Sequence, residues 1–211
     1  MGRRGAAPSD RPHGMTSKEK MVLAALDLLR EAGLGSAGIN GVVGRSGAPK
    51  GSLYHHFPGG KTELITAALR TAEARVGDGL RRAFDRPAPL GDKVRALFRA
   101  TGRAMEANKF AKGCPVAAVT LDLDEASEAL RQVCGAIFDG WRDAIADGLE
   151  EVAAGDRRQV ADLILATLEG AMILARARSK KDPLLGAGAT LAGVLEARML
   201  PRRRPVPRRR R

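Results

Sequence analysis

Side chains able to contact a polyanion are concentrated between residues 45 and 61 of this 211-residue sequence. This short stretch offers cations, a hydroxyl, a phenol and two imidazoles. Such groups hydrogen-bond to phosphates and to base edges in a major groove. We therefore predict a DNA-binding surface that is formed by Arg45, Lys50, Gly51, Ser52, Tyr54, His55, His56 and Lys61.

The members of this surface differ in their expected roles. Ser52 and His55 are the best candidates for base contacts, and the other side chains position the protein on the DNA backbone. Arg45 either clamps a phosphate or is a solvated surface arginine. Tyr54, the only tyrosine, either contacts a phosphate or packs in the core.

The adjacent histidines do not indicate a metal site. Neighbouring residues on a helix point about 100° apart, so His55 and His56 do not chelate one ion together. The sequence places no cysteine or acid at ligand spacing beside them. We predict no metal and no cofactor.

A short helix, helix 3, must carry these groups. Gly47 suits the left-handed end of a preceding helix, and Pro49 suits the first position of the next one. The helix then runs from Lys50 to about Phe57, with Leu53 and Phe57 four residues apart on its inward face.

Three further helices are needed to hold helix 3. Apolar residues at helical spacing predict helix 1 from Thr16 or Ser17 to Ala32–Gly33, helix 2 over 39–46 and helix 4 from Lys61 to about Phe84. Gly41 and Gly44 conflict with helix 2, because an interior glycine costs about 1 kcal/mol against alanine. They place the rigidity of this helix in question.

The whole pattern resembles the TetR family of bacterial one-component repressors. The matching residues are Gly47, Lys50-Gly51-Ser52-Leu53-Tyr54-His55-His56-Phe57-Pro58, Gly60-Lys61 and Leu64, and Gly113-Cys114-Pro115-Val116 is similar to the LmrA/YxaF-type branch. The resemblance implies a DNA-binding domain at 16–75 with its helix-turn-helix at 38–57, joined by helix 4 to a ligand-binding and dimerisation domain at 76–200. It also implies that helix 4 transmits ligand occupancy to the DNA-binding domain.

Composition limits the class of protein. The absence of strand-type segments favours an all-α fold of about nine helices, and two cysteines are too few for a disulfide framework. No apolar run approaches the ~20 residues of a membrane span, and no secretory signal is present, so we expect a cytoplasmic protein without a membrane partner.

The net charge of +12 includes basic ends on the chain. We predict a disordered basic leader at 1–15 and a disordered Arg-rich tail at 201–211. The tail either raises non-specific DNA affinity or is a dispensable extension.

The second domain is predicted to contain helix 5 at 92–108, helix 6 at 114–123, helix 7 at 127–152, helix 8 at 156–179 and helix 9 at 184–200. An aliphatic ligand cavity, suited to an apolar or amphipathic molecule, is assigned to Phe98, Met105, Cys114, Val119, Phe138 and Trp141. Plain core packing is the alternative for each residue. A depressed thiol pKa at the helix start would instead make Cys114 a thiol sensor.

Helices 8 and 9 carry more apolar surface than one subunit can cover, which indicates a homodimer. We assign its interface to Leu168, Met172, Leu191 and Leu195. The sequence as a whole predicts a homodimeric repressor that binds a pseudo-palindromic double-stranded DNA operator and is relieved by a small-molecule inducer. The alternatives are an activator or architectural DNA-binding protein without an inducer, or a helical enzyme with a DNA-binding domain. The sequence carries no GxSxG or HExxH motif, so we predict no enzymatic activity.

Overall fold

The computed structural model describes residues 15–199, and every regular element in that range is an α-helix. The helices are α1 (Ser17–Ser36), α2 (Ile39–Ser46), α3 (Lys50–His56), α4 (Gly60–Phe84), α5 (Leu90–Ala107), α6 (Pro115–Leu121), α7 (Glu128–Asp147), α8 (Arg157–Arg178) and α9 (Asp182–Met199). The predicted all-α fold is confirmed. The Arg-rich tail at 201–211 and all but Met15 of the leader lie outside the described residues.

A capping box fixes the start of α1. The Glu19 N–H donates to Thr16 Oγ1 at 3.2 Å, and the Thr16 N–H donates to Glu19 Oε2 at 2.7 Å. These bonds satisfy two backbone donors that a helix start otherwise leaves unpaired. α1 can therefore begin beside its predicted cap and present Met21, Ala25 and Leu29 to the core, where all three are fully buried.

The regular helical backbone of α1 is interrupted at Ala32–Gly33, where the helix was predicted to end. Both residues have non-helical backbone angles, with Gly33 at a φ of 76°, and one further turn follows to Ser36. The added turn is held by the Leu34 N–H, which donates to Asp122 Oδ2 at 2.7 Å from the end of α6. A Cβ at position 33 would lie 2.5 Å from the same oxygen, so the bend requires glycine.

The two glycines of α2 have different explanations. A Cβ at Gly41 would lie 2.7 Å from the Ser36 carbonyl oxygen, so glycine lets α2 pack closely against the end of α1. A Cβ at Gly44 would meet nothing within 4 Å. Close packing at Gly41 thus accounts for one of the two residues that conflict with a helix.

Together α1, α2, α3 and the first half of α4 form the head, by which we mean residues 16–75. Val42, Leu53, Phe57, Leu64 and Leu69 are fully buried in its core. The other helices and the second half of α4 form the body, and α4 runs unbroken through the predicted boundary at 75/76.

α7 is shorter than predicted, ending at Asp147 instead of Val152. The next residue, Gly148, approaches α4 so closely that a Cβ would lie 2.7 Å from the Phe84 carbonyl oxygen. The buried Lys93 donates from Nζ to the Gly148 carbonyl oxygen at 3.1 Å. A lysine from α5 therefore satisfies a carbonyl that a continuing helix would have paired.

Two contacts define the body. α5 lies on α9, where Gly188 faces Phe98 with no room for a Cβ, which would sit 2.6 Å from Phe98 Cβ. α4 lies on α7, where Trp141 donates from Nε1 to the Glu73 carbonyl oxygen at 3.2 Å. Between residues 15 and 199, no helix is long and apolar enough to cross a bilayer.

Candidate nucleic-acid interface and internal cavity

The turn between α2 and α3 is fixed by backbone geometry. Gly47 has a φ of 65°, and its N–H donates to the Val43 carbonyl oxygen at 3.1 Å. The Ala48 N–H donates to Ser46 Oγ at 3.2 Å. Pro49 has extended geometry and immediately precedes α3, one position earlier than predicted.

Two fully buried residues, Leu53 and Phe57, anchor α3. The opposite face is open to solvent, with Tyr54 53% exposed. The core-packing alternative for Tyr54 is therefore wrong. The other predicted contacts are also exposed or half-buried: Lys50, Gly51, Ser52, His55, His56 and Lys61.

Ser52 and Arg45 are already engaged within the head. Ser52 Oγ donates to the Pro49 carbonyl oxygen at 2.7 Å, which leaves its lone pairs free to accept a hydrogen bond from a base. Arg45 is not a free surface arginine, because it forms an ion pair with Glu31 of α1 at 2.7 Å. Arg45 therefore joins α2 to α1.

The histidines lie side by side on α3, with ring centroids 5.1 Å apart at 64°. Among residues 15–199, no three His, Cys, Asp or Glu side chains are arranged to hold a metal ion. Gly51 stands near them on the open surface, and a Cβ there would meet nothing within 4 Å. Packing inside the chain does not require this glycine.

A cavity of about 630 Å³, open to solvent on one side, is lined by residues of the body and of the head. Of the six residues predicted to line it, Cys114 and Trp141 do so. Phe98, Met105 and Val119 are instead buried in the core and do not line it, and Phe138 stacks edge-on against Trp141 with centroids 5.7 Å apart. The prediction was wrong for these four, since apolar character alone does not separate core from cavity wall.

Small residues on α4 and α5 form much of the cavity wall, and none of them is among the residues predicted to line it. Those on α4 recur at helical spacing: Ala72, Val76, Gly79 and Ala83. Those on α5 are Ala96, Ala100 and Ala104. Their spacing of three or four residues was a detectable signal, because residues at that spacing share one helix face.

The cavity is less purely aliphatic than predicted. Five arginines reach it: Arg30, Arg75, Arg82, Arg86 and Arg103. Glu169 from α8 also lines it, and its buried Oε2 has no hydrogen-bond partner among residues 15–199. Burial raises the pKa of the Glu169 carboxyl, which favours its neutral form.

Cys114 does not have the chemistry of a thiol sensor. Burial, followed by the nearby Glu169 charge, raises its pKa well above the ordinary value for a thiol. Its sulfur serves as the cap of α6, accepting a hydrogen bond from the Ala117 N–H at 3.4 Å. The depressed pKa considered from the sequence is therefore wrong.

The cavity reaches the DNA-binding head through α1, because Leu26 and Arg30 belong to its lining. Arg30 Nε donates to the Gly113 carbonyl oxygen at 3.3 Å, and the Gly113 N–H donates to the Arg30 carbonyl oxygen at 2.9 Å. Beside them, Lys112 Nζ pairs with Asp27 at 2.7 Å, and Arg176 of α8 donates to the Glu31 carbonyl oxygen. The residue that carries the α2 ion pair, Glu31, is thus adjacent to a cavity residue.

Three of the four residues assigned to a dimer interface are buried inside the chain: Leu168, Leu191 and Leu195. This assignment is corrected, since side chains that α8 and α9 already cover are not available to a partner. Met172 is half-buried and lines the cavity. Among the residues of the two helices up to Arg198, the large apolar side chains that are exposed are Leu163, Ile173, Leu174, Leu185 and Val194.

A left-handed glycine turn, a short helix anchored by two buried residues and an exposed donor surface define a helix-turn-helix DNA-binding protein. Two family models match this chain: "Bacterial regulatory proteins, tetR family" over residues 17–68, and "Transcriptional regulator LmrA/YxaF-like, C-terminal domain" over residues 91–190. The protein belongs to the TetR family of transcriptional regulators, in its LmrA/YxaF-like branch.

Individual relatives agree with this assignment. The HTH-type transcriptional regulator Rv0196 of Mycobacterium tuberculosis is 36% identical over 180 residues, which cover 79% of this chain and 88% of that protein. The HTH-type regulator YxaF of Bacillus subtilis is 32% identical over 171 residues, covering 80% and 90%. A structure of the TetR-family regulator CifR, a cysteine mutant complexed with a 26-bp operator, matches with a TM-score of 0.71 at 23% identity, covering 87% and 98%. At that identity the likeness to CifR concerns the fold.

Proposed function

We propose that this regulator is a homodimeric, cytoplasmic repressor that releases its operator when a small molecule fills the cavity. The observation that carries the proposal is the pair of hydrogen bonds between Arg30 and Gly113, because both residues line the cavity and Arg30 belongs to the head. A ligand that moves either residue moves α1, on which α2 and α3 pack.

On the DNA side, α3 enters the major groove. Lys50, Tyr54 and Lys61 contact the phosphate backbone, and His55 and Ser52 face the base edges. Neither the exposed Tyr54 hydroxyl nor the exposed Lys50 ammonium has a hydrogen-bond partner among residues 15–199. Both are therefore available to DNA without breaking a contact.

Two heads must be presented together. In helix-turn-helix dimers the recognition helices meet half-sites about 34–36 Å apart, or a multiple of that, which explains why their operators are pseudo-palindromes. The exposed faces of α8 and α9 supply the surface for pairing through Ile173, Leu174 and Val194.

Exposed glycines on α8 and α9 are further support for pairing through these two helices. A Cβ at Gly170, Gly186 or Gly193 would meet nothing within 4 Å, so packing inside the chain does not explain them. Each costs about 1 kcal/mol in a helix interior relative to alanine. Close approach of a partner helix gives each of them a structural role.

Ligand relief needs a difference in affinity between two conformations. A ligand that binds the DNA-incompetent state more tightly by about 2.7 kcal/mol lowers operator affinity about a hundredfold. The links Lys112–Asp27 and Leu34–Asp122 give the body two further contacts with α1, so that movement of α6 is transmitted to the head.

A gel-shift with the intergenic DNA beside the gene tests the proposal directly. The purified protein is mixed with labelled DNA, excess competitor DNA and moderate salt, and we expect a discrete complex. The expression of a reporter gene placed downstream of that DNA is then expected to rise when the regulator gene is deleted. A reporter that falls instead identifies an activator, and a smear that vanishes with salt identifies non-specific binding.

A further inference from the structure

The arginines of the cavity differ from three other arginines on the same helices. On α4 and α5, Arg70, Arg81 and Arg95 are held in ion pairs with Glu73 at 2.8 Å, Asp78 at 2.6 Å and Glu196 at 2.9 Å. Arg75, Arg82, Arg86 and Arg103 line the cavity, and none of them pairs with an acid among residues 15–199.

The cavity contains too little negative charge to balance these arginines. The acid in its lining is Glu169, and burial raises the pKa of that carboxyl. With Glu169 ionised, one negative charge faces five guanidinium groups. With Glu169 neutral, the lining carries five uncompensated positive charges.

The charged residues of the lining lie at exposed positions, whereas its most buried residues are apolar. Arg75, Arg82, Arg86 and Arg103 are all exposed, so they lie where the cavity meets solvent. Leu80, Leu165 and Trp141 are buried residues of the wall. The chamber is therefore apolar inside and cationic at its mouth.

We propose that the cavity takes an apolar molecule with one terminal carboxylate, with the apolar body in the chamber and the carboxylate among the arginines of the mouth. Arginine suits this role because its planar fork donates two parallel hydrogen bonds to a carboxylate. The inference rests on the proposed function, since it names the class of small molecule that acts at the cavity.

Trp141 allows a direct test, because it is the only tryptophan and lines the cavity. Its fluorescence is followed while dodecanoate or dodecanol is added, at concentrations that do not lower the melting temperature. The two probes share a chain and differ in the charged group. We expect dodecanoate to bind at least about tenfold more tightly, as a charge-assisted hydrogen bond predicts, and the preference to shrink as salt rises.

A charge-removal variant assigns the preference to the mouth. Arg82→Gln combined with Arg103→Gln is expected to weaken dodecanoate about tenfold and leave dodecanol within about twofold. The matched control is Arg99→Gln, since Arg99 lies on α5, is exposed, and does not line the cavity. This control is expected to leave both affinities unchanged.

Three results would overturn the inference. Equal binding of the two probes rejects the anion and keeps an apolar ligand cavity. An Arg99→Gln effect as large as that of the double variant assigns the preference to general surface charge. Failure of both probes to change Trp141 fluorescence rejects ligand entry of this class, while the gel-shift separately decides whether the protein is a specific repressor.

Discussion

Arg30 and Gly113 bind each other through two hydrogen bonds, 2.9 and 3.3 Å long, across the boundary between the head and the body. Both also line the cavity. The helix α1, on which α2 and α3 of the DNA-binding head pack, is thus in direct contact with the cavity. This junction gives the first of five predictions.

Replacing Arg30 with Gln removes the guanidinium while keeping a polar chain of similar reach. We expect operator affinity without ligand to stay within about threefold, since Arg30 is not one of the residues that we place on the DNA. The fall in operator affinity that ligand causes is expected to shrink by about tenfold, because the coupling contact is gone. Operator titrations by fluorescence anisotropy, with and without dodecanoate, measure the affinity and the size of the ligand effect. An unchanged ligand effect would place the coupling elsewhere.

Lys50→Ala and Tyr54→Phe each remove a group from the exposed face of α3. Each is expected to weaken the specific complex by about five- to twentyfold, and Lys50→Ala to reduce the slope of log affinity against log salt by about one. Melting temperatures should not move, because both residues are exposed. Lys20→Ala, an exposed lysine on α1, is the control. Unchanged operator affinity would remove α3 from the interface.

Gly51→Ala separates stability from binding. An alanine Cβ meets open space at this position, so the substitution is expected to stabilise α3 by up to about 1 kcal/mol. It should nevertheless weaken operator binding, because the added methyl occupies space where we place DNA. Gly135→Ala on α7, where a Cβ also meets nothing, should stabilise without altering DNA binding. Equal DNA affinity in both variants would mean that Gly51 is not at the interface.

Ile173→Asp places a charge on the exposed face of α8, where Ile173 is 57% exposed. We expect sedimentation to show a monomer with retained helicity and weaker operator binding. Leu121→Asp is the matched control, because Leu121 is 77% exposed on α6. A dimer that survives Ile173→Asp and Val194→Asp would move the interface away from α8 and α9. The buried Leu191 is unsuitable for this test, since a charge there would unfold the body.

Glu169→Gln tests the buried carboxyl by its pH dependence. Burial raises the pKa of Glu169 in the folded state, so the folded protein binds more protons than the unfolded chain between the ordinary carboxyl pKa of about 4.3 and the raised pKa of the folded state. The free energy of unfolding therefore falls as pH rises through this range. Glutamine carries no charge and removes the cost of burying an ionised carboxylate. We therefore expect a larger gain in melting temperature at pH 7.5 than at pH 4.5. A gain of equal size at both pH values would show that the pKa is not raised.

The sequence by itself determined the elements of the head. Gly47, Pro49, Leu53 and Phe57 predict a turn and a short anchored helix from local rules, and the structure contains both. Capping at Thr16 and the limits of α2 were also predictable, because caps and glycine turns depend on residues close together in the chain.

Only the tertiary structure decided which apolar residues face the cavity, the core or the surface. Leu191 and Ile173 look alike in sequence, yet one is buried against its own chain and the other is exposed. Phe98 was predicted at the cavity and packs on Gly188 instead. Helical spacing identifies an apolar face, but the helix that covers it is set by long-range packing.

The charged residues also show this difference between what the sequence predicts and what the fold decides. Arg45 could be recognised as a cation near the turn, but its ion pair with Glu31 joins residues from two different helices. The arginines that line the cavity come from α1, α4, α5 and the segment after α4, which are far apart in sequence. The composition gives the number of charged residues, whereas the balance of charge around a site depends on which residues the fold brings together.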